Sequence, residues 1–133
     1  MAAPGRRIFW AWLPAVLYMG LIFALSSLEL HAPAVEYFPL RDKGLHALEY
    51  AVLGFLLAHA ALRTWPVRAL WRVASVAVVL GVGWGVLDEL HQALVPYRTA
   101  DALDLAADAV GTVVGVVVRV GVRAARGMHA PNA

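Results

Sequence analysis

The sequence predicts an all-α fold, a four-transmembrane-helix bundle with both termini in the cytoplasm and a polar pocket at the extracytoplasmic end. Three observations predict it. The 133-residue chain is 62% hydrophobic and only 15% charged. Its mean hydropathy of +0.70 is too high for a small water-soluble core. Finally, the apolar residues fall in four stretches, with most Lys and Arg at one end of them and all nine carboxylates at the other.

The first stretch runs from about 8 to 27. It is long enough to cross roughly 30 Å of hydrocarbon at about 1.5 Å per residue. Pro14 falls in its first turns, where lost backbone hydrogen bonds matter least. Residues 1–26 also admit a signal-peptide reading, with Arg6-Arg7 before the apolar stretch and Ala24-Leu25-Ser26 as the cleavage site. The stretch is longer than the roughly 7–15 residues usual for such segments and rich in bulky side chains, which favours a retained span.

The second stretch runs from about 45 to 62, the third from 69 to 94 and the fourth from 102 to 118. The third and fourth are unbroken apolar runs only over Val73–Leu87 and Ala109–Val118. They cross a membrane only if their polar ends continue as helix, buried against other protein, which requires a compact bundle. The connection Glu29–Arg41, with His31, Pro33 and Pro39, reads as a loop or interfacial segment. The second connection is a tight turn at Pro66, and residues 119–133 read as a cytoplasmic tail. Residues 1–133 thus form a single transmembrane domain.

Orientation follows from the basic residues. Arg6, Arg7, Arg63, Arg68, Arg72, Arg119, Arg123 and Arg126 lie at one end, against Arg41, Lys43 and Arg98 at the other. An even number of spans then puts both termini in the cytoplasm of a bacterial inner membrane, and the acids outside. Trp10, Trp12, Trp65 and Trp71 read as interfacial anchors on the cytoplasmic side, and Trp84 as core. The absence of cysteine excludes disulfides and thiolate metal sites. The Arg residues flank apolar runs without forming a continuous basic face, so no nucleic-acid partner is expected.

Carboxylates crowded at one membrane depth cost free energy, and that marks a site. On the second helix Asp42, His46, Glu49 and Leu53 form one stripe, flanked by Lys43 and Tyr50. The third helix ends in Asp88-Glu89-Leu90-His91-Gln92, and Arg98 follows Pro96-Tyr97. The fourth carries Asp101, Asp104, Asp108, Gly111 and Gly115 at spacings 3, 4, 3, 4, a single seam. Its glycine half, like Gly81-x-x-x-Gly85, lets helix backbones approach closely in lipid. Its acidic half cannot face lipid and must turn inward toward Lys43, His46 or Arg98.

The bland reading of these acids is a buried ion-pair network that only fixes helix register. The sharper one starts from their excess over the bases. Packed carboxylates do not all ionise, and such groups suit acid–base work, proton transfer or divalent cation binding. A metal held by His46, His91 and neighbouring carboxylates is chemically reasonable. No compact ligand motif such as H-E-x-x-H marks it, and any metal or other cofactor is left unknown. Ser26-Ser27 offer a hydroxyl nucleophile with nothing nearby in sequence to activate it, and read as caps of the first helix. His59 reads as a snorkelling or helix-contact residue.

These residues resemble the VanZ-like family of small bacterial membrane proteins, named for a teicoplanin-resistance protein. The resemblance runs from Leu21 to Gly115: Ser26-Ser27, Asp42-Lys43-x-x-His46-x-x-x-Tyr50-x-x-Leu53-Gly54, Asp88-Glu89-x-His91-Gln92, Pro96-x-Arg98, and Asp104-x-x-x-Asp108-x-x-Gly111-x-x-x-Gly115. Asp108 stands where the family often has Asn, which adds an ionisable group. The resemblance implies a four-helix membrane protein; a link to glycopeptide antibiotic resistance is not carried over by the motif, since most VanZ-like proteins occur without a resistance cluster.

The expected function is to act on, or bind, a lipid-linked or cell-envelope substrate from the membrane. His46, Glu89 and Asp104 are the candidate catalytic residues, and Lys43, Tyr50, Gln92 and Arg98 the candidate substrate contacts. Asp42, Asp88, His91, Asp108, Gly111 and Gly115 line or build the pocket. One alternative is a non-enzymatic protein that binds or shields a lipid or glycopeptide. Another is a proton- or cation-conducting bundle, disfavoured because His59 is the one polar group noted deep in the inner half.

Overall fold

In the computed structural model, residues 4–27, 39–66, 69–96 and 100–128 are described, and they form four α-helices and no strand. These are α1 (Pro4–Ser26), α2 (Pro39–Thr64), α3 (Leu70–Gln92) and α4 (Ala102–Met128). Each is long and apolar enough to cross a membrane. The loop expected over Glu29–Arg41 lies mostly outside the described residues, as does the end of the tail beyond Met128.

Three helix ends differ from the sequence reading. α1 and α2 begin at Pro4 and Pro39, earlier than their apolar runs. Proline suits a first helical position, where its missing N–H has no partner to lose and its φ is already helical. α4 continues past Val118 to Met128, where a cytoplasmic tail was expected. Hydropathy drops at Arg119, but Arg and Ala are good helix formers and long Arg side chains reach water from an apolar face. α4 is also capped at its start: the Asp101 carboxylate accepts the Leu103 N–H at 2.8 Å.

The contacts fix an up-down-up-down bundle. Ser26 of α1 meets Asp88 of α3, while Trp12 of α1 donates its indole N–H to Thr64 of α2 at 2.9 Å. α1 therefore runs parallel to α3 and antiparallel to α2. α2 and α4 run parallel, since Lys43 meets Asp104 and His59 meets Arg119. The most extensive packing is between α2 and α4; α1 packs mainly on α2, touches α3 only lightly and, among the described residues, does not reach α4.

Close approach of α2 and α4 depends on glycine. A Cβ at Gly111 would fall onto the Ala47 carbonyl, and one at Gly115 onto the Ala51 carbonyl and the Phe55 backbone nitrogen. From the other side, a Cβ at Gly54 would strike the Thr112 carbonyl. The two backbones touch directly, in the manner of small-residue contacts between membrane helices. α3 joins them through Gly81, whose missing side chain makes room for that of Thr112.

Around this seam Ala15, Ile22, Tyr50, Leu53, Leu57, Ala77 and Val116 are buried together. The outward faces are apolar as well: Leu17, Val79 and Val117 are 64%, 69% and 63% exposed. Such a surface is at home against acyl chains, not water. Gly115→Ala should therefore destabilise the bundle by at least the ~1–3 kcal/mol typical of overpacking. Gly121→Ala, with nothing within 4 Å of the added carbon, should leave thermal unfolding in detergent unchanged. Equal melting of the two variants would refute the backbone contact.

Candidate functional site

The parallel packing of α2 against α4 brings the acidic ends of both helices together, and the antiparallel α3 adds its own acidic end. Among the described residues, Lys43 is the centre of the outermost layer. Its ammonium donates to Asp101 Oδ2 at 2.6 Å and to Asp104 Oδ1. Asp104 is buried, while Asp101 is more open to solvent. The Asp101 backbone N–H in turn donates to Glu89 Oε2 at 2.9 Å, which ties α3 to the start of α4.

One turn deeper, His46 Nδ1 lies 3.0 Å from Asp108 Oδ1. Asp108 is fully buried, as is Tyr50. Gly85 of α3 sits over both: a Cβ there would be 3.3 Å from the Tyr50 ring and 3.4 Å from Asp108 Oδ2. Three buried polar atoms in this region have no hydrogen-bond partner among the described residues: Asp108 Oδ2, Glu89 Oε1 and the Tyr50 hydroxyl. Asp104 and Asp108 lie within electrostatic range of Glu89, as does His46.

A second cluster joins α1 to α3. Ser26 donates to Asp88 Oδ1 at 2.6 Å, and the Gln92 amide donates to Asp88 Oδ2 at 3.0 Å. Both carboxylate oxygens of this buried aspartate are thus satisfied. Beside it, Ser27 Oγ lies 2.9 Å from His91 Nε2. The His91 ring is stacked on Phe23, 4.1 Å between centroids. Both serine hydroxyls also reach the Phe23 carbonyl, so they do cap α1.

Sequence reasoning found no partner for the serines because their partners lie more than sixty residues away on α3. No local periodicity carries that pairing. The aligned C-terminal ends of two parallel helices were the only signal for it.

Of the candidate residues, Lys43, Asp104, His46, Asp108, Tyr50 and Glu89 converge between α2, α3 and α4. Asp88, Gln92 and His91 belong to the neighbouring α1–α3 cluster, and Gly111 and Gly115 form the seam beneath. Arg98 lies outside the described residues, and so does the side chain of Asp42. Among the described residues, no three His, Asp or Glu side chains gather as metal ligands. What the arrangement offers is an imidazole oriented by a buried carboxylate, a second buried carboxylate with one free oxygen, and a cation shared by two acids. That set can accept hydrogen bonds, hold a polar group in a low-dielectric setting and pass protons.

The Lys43 ammonium and the Leu103 N–H hold the Asp101 carboxyl below its ordinary value of 3.8. With the folded value depressed, the stabilisation is complete above 3.8 and fades as pH falls through the lower folded value. Lys43→Met should bring Asp101 back toward its ordinary value in a carboxylate infrared titration. An Asp101 titration indifferent to that substitution would mean the ammonium does not set it.

Neither curated proteins nor solved structures yield a match. The sequence model of the VanZ/LLP1 family matches residues 9–123, which takes in all four helices and both polar clusters. The chain belongs to the VanZ/LLP1 family.

Proposed function

We propose that the cluster between α2, α3 and α4 is an outward-opening pocket that engages the polar head of a lipid-linked or cell-envelope substrate. The observation that carries this reading is the set of buried polar atoms without partners around Asp108, Glu89 and Tyr50. Each such atom costs roughly 1–3 kcal/mol when left unmet in a low-dielectric interior. A network serving only to fix helix register would satisfy them, as the Ser26–Asp88–Gln92 group does.

Carboxylates outnumber Lys43 and His46 here, so the favoured head group brings hydrogen-bond donors, such as sugar hydroxyls or an amine. Donors would be received by Asp108 and Glu89, with His46 as the proton carrier and Tyr50 as a further contact. Asp104 orients Lys43, and Lys43 and Arg98 supply contacts to a phosphate. The Lys and Arg asymmetry supports both termini in the cytoplasm of the bacterial inner membrane, with the pocket on the extracytoplasmic side. A part in glycopeptide resistance would follow if the substrate were a cell-wall precursor.

In a deletion strain with an envelope phenotype, His46→Ala, Glu89→Ala and Arg98→Ala expressed at wild-type level should each fail to restore the phenotype. Full complementation by all three would sink the proposal. Purified protein incubated with a membrane lipid extract separates the two forms of this reading. A new product means catalysis. Retention of an unaltered lipid that depends on His46 and Glu89 means binding or shielding.

A further inference from the structure

We propose that the opposite, basic end binds the phosphate of an anionic membrane lipid in the groove between α2 and α4. On α2, His59 and Arg63 are four residues apart; on α4, Arg119, Arg123 and Arg126 follow at four and three. Each set makes one stripe. Because the helices run parallel in backbone contact, the stripes lie side by side and descend together.

The contacts join them. Arg119 donates its Nε–H to His59 Nδ1 at 3.3 Å, which leaves the imidazole proton on Nε2. The same guanidinium lies 5.9 Å from the centre of the Phe55 ring. Arg63, Arg123 and Arg126 are all within electrostatic range of Arg119.

Among the described residues, no Asp or Glu pairs with these charges. The nearest Asp or Glu in sequence is Glu49 on α2 and Asp108 on α4, both toward the other end. α1 and α3, whose first turns flank this end, have no acid there. Arg119 is only partly exposed, and its one hydrogen-bond partner among the described residues is an imidazole.

A half-buried guanidinium among like charges at a membrane interface is unfavourable until an anion joins it. Its planar fork matches a phosphate, and His59 Nε2–H adds a further donor. Orientation by positive charge requires only that Arg be present on this side, and does not require such convergence.

A lipid fits better than a free anion because the α2 stripe turns apolar just above the cations. Val52 and Phe55 are 40% and 37% exposed, directly toward the bilayer centre from His59. Phosphate below and acyl chain above match the profile of the groove.

Native mass spectrometry of the protein released from nanodiscs with equal phosphatidylglycerol and phosphatidylcholine tests this. The wild type should retain phosphatidylglycerol preferentially, and retention should fall about fivefold for each Arg neutralised. The variants are Arg119→Gln and the exposed pair Arg123→Gln with Arg126→Gln, the latter free of any packing role that folding would confuse. Arg6→Gln with Arg7→Gln should retain the lipid like wild type. Equal retention of the two lipids, or an equal loss in the Arg6/Arg7 variant, would overturn the site. Displacement of the lipid by millimolar inorganic phosphate would assign the groove to a soluble anion instead.

Discussion

The polar pairs at both ends of α2 and α4 depend on the contact between the backbones of those two helices. Gly111 and Gly115 rest on the carbonyls of Ala47 and Ala51, and Gly54 rests on that of Thr112. Two helices this close and parallel cannot slide without driving a carbonyl into a neighbouring chain. Their register is therefore set by steric exclusion, not by the charges. Lys43 meets Asp101 and Asp104 because Gly111 is on Ala47, and Arg119 meets His59 because Gly115 is on Ala51. One packing choice composes both ends of the molecule.

That order of cause matters for the energetics. Placing seven helix-borne or helix-capping acids at one end of an apolar bundle is costly, since desolvating charge usually outweighs what pairing returns. The ion pairs are then poor candidates for what holds the helices together. Buried apolar side chains and close backbone packing do that, and the polar groups are carried at their expense. Asp108 is the extreme case, fully buried, with His46 against one carboxylate oxygen and the other oxygen without a hydrogen-bond partner among the described residues.

Much of the arrangement could be read from the sequence, and the reason is periodicity. The 3, 4, 3, 4 spacing from Asp101 to Gly115 is a helical stripe whatever surrounds it, and its change from acid to glycine marks where charge gives way to contact. The α2 stripe through His46 is equally plain. The four-helix fold followed from hydropathy and length. What spacing could not reveal was which stripe meets which. Nothing local couples Ser26 to Asp88, Ser27 to His91, or Arg119 to His59, because these pairs depend on helix order and register. Hydropathy also ended α4 too early. It scores Arg119 as an exit from the membrane, whereas the side chain folds back against His59 and Phe55.

The two polar clusters at the acidic end differ in a way that separates structural from functional roles. Around Asp88 the count closes: two carboxylate oxygens meet two donors, one from Ser26 on α1 and one from Gln92 on α3 itself. Such a group can lock α1 onto α3 and needs nothing more. Around Asp108 it does not close, because Asp108, Glu89 and Tyr50 each keep a buried polar atom without a partner among the described residues. The unmatched Asp108 oxygen lies beside Gly85, where an added Cβ would already be in contact with it and with the Tyr50 ring. A fold that can satisfy one aspartate completely and leaves another half-met a helix face away has not failed at packing. The unmet half is where a substrate's donors would be welcome, and the closed half is what keeps the wall of that space in place.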